Sequence, residues 1–327
     1  MTSEVIATDA DLPPLCMHRR APAPHHQKDV MPVPKALTGR AAISRDVAAS
    51  RATQELRVAD GTRLFLRDWG EGPPLVFLAG WSQPSDVWST VMLTLAESGH
   101  RCVSYDRRGH GRSDDPGHGF DFDTLADDLA AVLAALDLRR VTLVGHSMAP
   151  GEIARYLTRH GAARVAGLTF VSPTTPMLAR APDNPDGLDP ALFAAIRAAL
   201  AGDFPAWVDA NLDAFVTPNT SRPTREWLRG LTLGCSLRAA IELNRAIAEG
   251  DFRAELRAIR LKTLVVHGDA DASAPIELCG RATASLIPGA RLTVYPGAPH
   301  GLLVTHAACL VSDLVDFVRD VNAEEMA

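Results

Sequence analysis

From residue 52 onward the chain alternates between two patterns. Short, continuous apolar runs occupy 75–79, 102–105, 141–144, 165–171, 263–266 and 292–295, flanked by Gly, Pro or Asp. Runs of that length suit strands buried on both faces, as in a parallel sheet. Between them lie segments with apolar residues at helical spacing, over 86–97, 124–136, 152–159, 276–285 and 302–321. Ahead of the first run, 54–58 and 63–69 alternate apolar and polar positions around Asp60-Gly61, which predicts a hairpin. A hairpin followed by β-α alternation predicts an α/β fold with a doubly wound, mostly parallel sheet.

One connection breaks the alternation. From 172 to 262 no strand pattern appears, and 189–200, 204–215, 224–233 and 237–248 all read as helices. An all-helical insertion there, at about 174–255, predicts a cap over the sheet edge where such folds bind ligands. Phe204, Trp207, Phe215 and Trp227 are its aromatic candidates for lining a pocket or for packing the cap itself. Residues 1–51 differ again. Prolines punctuate them and no period persists, which predicts a mostly disordered extension ahead of a single domain over 52–327.

Composition narrows the function classes. Hydrophobic residues make up 46% and charged residues 22%, with a net charge of −6, the profile of a globular enzyme or binding domain. Basic residues are dispersed, so neither nucleic acid nor an anionic membrane is an expected partner. No apolar run approaches the ~18 residues that span a bilayer. Five scattered cysteines without a CxxC pair argue against a disulfide framework or a zinc site and fit a cytoplasmic setting. A homo-oligomer is compatible with these features.

The chemistry concentrates at VTLVGHSMAP, residues 141–150. An apolar strand ends at Gly145-His146-Ser147 and a helix begins at once, the context of a nucleophile elbow. Such a turn lifts the serine hydroxyl above the sheet, beside the positive end of the following helix. Ser147 needs a base, and the base an orienting acid. His300, in the loop after the last predicted strand, supplies the base. Asp271 supplies the acid, with Asp269 as its competitor in the same loop. The order Ser, Asp, His is that of this fold. The loop after the preceding strand reads Ser172-Pro173-Thr174 and offers no carboxylate. Two backbone N–H groups must face the developing oxyanion. Met148, next to the nucleophile, and Trp81, in the loop after strand 75–79, are the candidates.

At these residues the chain resembles the α/β-hydrolase family, most of all its cofactor-free bacterial non-heme chloroperoxidases and arylesterases. The matching stretches are YDRRGHGRSD (105–114), DFDTLADDLAAVLAALDL (121–138), LVGHSM and GEIARYL (143–157), VVHGDAD (265–271) and YPGAPHGLLVTH (295–306). The resemblance implies Ser147 as nucleophile, Asp271 as acid, His300 as base, Trp81 and Met148 at the oxyanion hole, and no cofactor or metal. It implies hydrolysis of a small carboxylic ester or lactone through an acyl-serine. The alternative is perhydrolysis, in which hydrogen peroxide takes the acyl group and the peracid oxidises halide; a non-catalytic binding module is a remote third. Asp106, Arg108 and Gly109 match a structural loop of the family. The chain departs from it at Ala79-Gly80, where His-Gly is usual, and at Ala149-Pro150, where a pair of small residues is usual. The composition of 1–51 predicts that a chain starting near Ala52 keeps its melting temperature and its turnover. A thermal melt and an ester assay of that truncated chain check this.

Overall fold

A computed structural model describes residues 55–323, so the expectation for 1–51 lies outside the described residues. The hairpin forms as predicted. Strand β1 (Glu55–Arg57) pairs antiparallel with β2 (Arg63–Trp69). Its turn is closed by Asp60, whose side chain accepts from Thr62 N (2.9 Å), and by Gly61 at φ 87°.

The alternating part follows as β3 (Pro74–Leu78), α1 (Ser89–Glu97), β4 (Arg101–Tyr105), α2 (Phe122–Ala135), β5 (Val141–His146), α3 (Ala149–His160) and β6 (Val165–Val171). Five helices then intervene: α4 (Pro190–Gly202), α5 (Phe204–Asn211), α6 (Arg222–Leu233), α7 (Leu237–Glu249) and α8 (Arg253–Ala258). The sheet resumes with β7 (Lys262–Gly268), α9 (Ala282–Leu286) and β8 (Arg291–Tyr295), and the described chain closes with α10 (Leu302–Thr305) and α11 (Ala307–Ala323). The sheet order is β1-β2-β4-β3-β5-β6-β7-β8, parallel from β4 to β8.

The continuous apolar runs are explained by a core on each face. Along β3, Val76 and Leu78 pack with Leu125, Leu129 and Ile153 of α2 and α3. Leu75 and Phe77 pack on the other side, with Met92 and Leu95 of α1 and Leu314 and Phe317 of α11. Successive strand residues point to opposite faces, so both parities must be apolar.

Several boundaries differ from the predicted ones, each for a local reason. Helix α2 begins at Phe122 because the Asp121 side chain accepts from Thr124 N (2.9 Å), and α6 begins at Arg222 because Ser221 caps it in the same way. The segment predicted over 86–97 starts as a 3₁₀ turn, Ser85–Trp88. The one over 276–285 opens with a π turn, Glu277–Arg281, that packs Gly280 against the His267 ring. The one over 302–321 breaks at His306. Helix α8, six residues long, escaped the periodicity altogether. The thiols of Cys102, Cys235 and Cys279 are free and buried. No helix among the described residues is long and apolar enough to cross a membrane.

The chain runs from β3 out to β4, then back across β3 to β5. The order therefore reverses between β3 and β5, and a crevice opens at their carboxyl ends, where ligands bind in open α/β sheets. At this point β5 turns into α3 so tightly that a Cβ on Gly145 would sit 2.8 Å from Ile153 Cδ1 and 3.1 Å from Pro150 N. Pro150 lies in the first turn of α3, where no helical donor is lost, and is itself buried. Gly145→Ala is expected to destabilise the fold by about 1–3 kcal/mol through overpacking. Ile153→Val removes the nearer clashing atom, so the double variant should lose less than the sum of the two singles. Urea melts of all four proteins of this cycle measure the coupling.

Candidate active site

Ser147 follows β5 with φ at 59°, a left-handed conformation unusual for a residue with a side chain. Its backbone is held on both sides. Ser147 N donates to the Val171 carbonyl at the end of β6 (2.9 Å), and the Ser147 carbonyl accepts from Thr174 N (2.8 Å) and Thr174 Oγ1 (3.2 Å). The hydroxyl stands at the mouth of the crevice, and the side chain is almost fully buried.

His300 reaches Ser147 from the loop after β8. Its Nε2 lies 2.9 Å from Ser147 Oγ, and its Nδ1 lies 2.7 Å from Asp271 Oδ2, in the loop after β7. A carboxylate only accepts, so the network assigns the imidazole hydrogen to Nδ1 and leaves the Nε2 lone pair to face the serine hydroxyl. The three sequence-predicted residues thus meet in one chain of hydrogen bonds.

Asp271 is crowded with donors. Oδ1 accepts from Ser273 N (2.9 Å) and Ala274 N (2.8 Å). His267 Nε2 lies 3.1 Å from Oδ2 and 2.8 Å from the Ala274 carbonyl; both neighbours only accept, so this nitrogen carries its hydrogen. Burial alone would raise the carboxyl's pKa. The charge that His300 can carry and the hydrogen bonds from His267, His300 and Ala274 prevail, and hold Asp271 well below the usual carboxylate range. Asp269 stands apart from His300. It is exposed, and its Oδ1 accepts from Gly297 N (2.6 Å), bracing the turn after β8.

The sequence pattern does not single out His146, which precedes Ser147. Its Nε2 contacts the His300 carbonyl (3.0 Å), and its ring lies 4.9 Å from the His300 ring, centre to centre. Burial, with His300 close by, pushes its pKa down to about 3, so it is neutral near pH 7 and donates through Nε2 to that carbonyl. The GHS and HGDAD motifs contain His146 and His267 in plain view. What they lacked was any sign of which neighbour each would touch.

Of the two residues expected to supply backbone donors, Trp81 lines the same cavity as Ser147 and Met148 follows Ser147 in the chain. Gly80 packs so closely that a Cβ there would meet His146 Nδ1 at 2.7 Å and Ser147 Cβ at 3.0 Å, which brings the Gly80–Trp81 peptide close to Ser147. Met148 is fully buried at the head of α3. Among the described residues, no backbone carbonyl takes up the N–H of Trp81 or of Met148. The Trp81 indole donates to the Ala240 carbonyl of α7 (2.8 Å) and meets Trp207 edge-on.

A cavity of about 460 Å³ opens from Ser147 and His300 into the helical insertion. Its walls are mainly apolar and include Leu178, Phe193, Ile196, Trp207 and Phe215. Of the four aromatic candidates in the insertion, Trp207 and Phe215 line this space, Phe204 is packed in the core and Trp227 is 39% exposed. The insertion also touches the loop that carries His300 directly, since Gly301 N donates to the Phe215 carbonyl (2.9 Å). Among the described residues, no group of three or more His, Cys, Asp or Glu side chains is gathered so as to hold a metal ion.

Residues 73–307 match the family model described as alpha/beta hydrolase fold. A non-heme haloperoxidase of Rhodococcus erythropolis is 40% identical over 80% of this chain and 97% of its own length. A bifunctional esterase/perhydrolase of Acinetobacter calcoaceticus is 34% identical, again over 80% of this chain and 97% of its own. The crystal structure of a bromoperoxidase from Bacillus anthracis superposes with a TM-score of 0.77 at 33% identity, covering 79% of this chain and 96% of that one. The strand order, the left-handed serine after β5 and the match over most of the sheet lead to one family: the chain belongs to the α/β hydrolases.

Proposed function

We propose that the chain is a serine esterase that cleaves a small carboxylic ester or lactone through an acyl-enzyme. The observation that carries this is the continuous path Ser147 Oγ, His300 and Asp271 at the mouth of an apolar cavity. His300 Nε2 takes the hydroxyl proton as Ser147 Oγ attacks the ester carbonyl. The carbonyl oxygen becomes an oxyanion, and the N–H groups of Trp81 and Met148 donate to it. Collapse expels the alcohol, which takes the proton from His300. Water, deprotonated by the same nitrogen, then releases the acid. Asp271 stays ionised throughout and fixes the imidazole's tautomer. The apolar walls favour a hydrophobic acyl or alcohol group of modest size, since the space is at the small end of ordinary ligand pockets.

A second reading concerns the deacylating nucleophile, and the names of two relatives favour it. Hydrogen peroxide in place of water gives a peracid and free Ser147. The peracid then transfers one oxygen to a halide, giving hypohalous acid and the carboxylate. No new residue is needed, because His300 serves both nucleophiles.

Ser147→Ala and His300→Ala are each expected to cost several orders of magnitude in turnover of p-nitrophenyl esters while the proteins stay folded. Retention of more than about a hundredth of the rate by either variant would defeat the assignment. Asp271→Asn should lower kcat by orders of magnitude, because the imidazole loses its orienting acceptor. Asp269→Asn should change kcat little; the reverse ranking would move the acid role. Repeating the ester panel with peroxide and bromide, and following bromination of a dye, measures the second reading.

A further inference from the structure

Behind the nucleophile lies a buried ion pair that the reaction above does not use. Arg107, in the loop after β4, is 2% exposed, and Glu152 of α3 is fully buried. Arg107 Nε donates to Glu152 Oε2 (2.6 Å), and Tyr105 Oη donates to Glu152 Oε1 (2.5 Å). The guanidinium also donates through Nη1 to the Gly80 carbonyl (3.3 Å), which accepts from Gln83 N as well (3.3 Å).

The Gly80 carbonyl belongs to the peptide unit whose N–H is that of Trp81. A trans peptide is planar, so its C=O and N–H point in opposite directions. A group that fixes the oxygen on one side fixes the direction of the hydrogen on the other. A cation at the oxygen also withdraws electron density along the amide, and hydrogen bonds in series strengthen one another. Arg107 does not line the cavity, whereas Trp81 does. The guanidinium and any bound oxyanion therefore stand on opposite sides of one peptide.

A buried ion pair contributes little net stability compared with apolar residues of the same volume. What it supplies here is geometry. Glu152 lies one turn into the helix that starts beside Met148, and Arg107 spans from that helix to the Gly80 peptide. The two donors of the oxyanion hole come from separate elements, the loop after β3 and the head of α3. The Arg107–Glu152 pair is a direct brace between them.

We infer that Arg107, held by Glu152, is a positioning residue for the oxyanion hole: it orients and polarises the Gly80–Trp81 peptide so that the Trp81 N–H meets the tetrahedral intermediate. This inference rests on the serine-esterase reading above. It predicts that loss of Arg107 harms the transition state and spares the ground state, because the charge on the carbonyl oxygen develops only during attack.

The test compares wild type, Arg107→Lys, Arg107→Met and the double variant Arg107→Met/Glu152→Gln. The double variant removes both buried charges and leaves Tyr105 an acceptor, so it stays folded where Arg107→Met alone strands a carboxylate. Each is assayed with a p-nitrophenyl ester for kcat and KM. Each is also titrated with an alkylboronic acid, whose tetrahedral adduct on Ser147 places an oxygen in the hole. Denaturant midpoints confirm folding. In the double variant, kcat and boronate affinity are expected to fall together, by about tenfold or more, with KM within about twofold of wild type. Arg107→Lys should recover part of the loss, because an ammonium still donates to the Gly80 carbonyl. Unchanged kcat and boronate affinity in the folded double variant would overturn the inference, as would a loss confined to KM. Wild-type protein that turns over no ester and whose Ser147 escapes a fluorophosphonate would instead overturn the esterase reading, and this inference with it.

Discussion

The site depends on one residue held in a conformation that it would not adopt alone. A left-handed backbone at Ser147 costs on the order of 1–2 kcal/mol relative to an ordinary one. It persists because its peptide groups are tied to the end of β6 and to Thr174 just beyond. Those ties exist only when β5 and β6 are paired in register, and the register in turn needs both faces of the sheet covered. Close approach at Gly145 lets α3 begin immediately after Ser147, with Met148 as the residue that precedes its first turn. Ser147 is thus positioned by the whole sheet.

The surroundings of His300 are arranged so that charge can appear in one place. Asp271 is saturated with donors and stays ionised, so it serves as a fixed negative charge and competes poorly for protons. His146 is kept neutral by burial, which keeps a second cation away from the His300 ring. The low dielectric of the apolar cavity strengthens each of these interactions. The same burial leaves His146 Nδ1 without a hydrogen-bond partner among the described residues. Close packing of this ring against Ser147 and His300 therefore carries the cost of one unsatisfied buried nitrogen.

Much of this was legible from the chain alone, because strands buried on both faces leave unbroken apolar runs and helices leave a period. The elbow was legible because Gly, Ser and the start of a helix fall within a few positions of a strand end. Asp271 and Asp269 lie two positions apart in one loop, yet the first hydrogen-bonds His300 and the second Gly297 N. Less visible were features set by tertiary contact. Helix starts shifted by two residues because a cap's effect depends on side-chain geometry. Trp207 and Trp227 are equally aromatic in sequence, and only packing turns one toward the cavity and the other toward solvent. Arg107 and Glu152 are 45 positions apart, and nothing in either segment announces the other.

The anchoring of the Trp81 indole on α7 has a consequence for how such proteins diversify. The helical insertion is the natural segment to exchange when a new substrate range is wanted, since it forms most of the cavity wall and enters the sheet at a single connection. Here it is not an independent module. The side chain of Trp81 ends in a hydrogen bond to Ala240 and an edge contact with Trp207, while its backbone flanks the nucleophile. A transplanted insertion would have to reproduce that carbonyl and that ring, or the loop after β3 would lose its outer support. Grafts that respect the Trp81 contacts therefore form a much smaller set than grafts that merely fit the space.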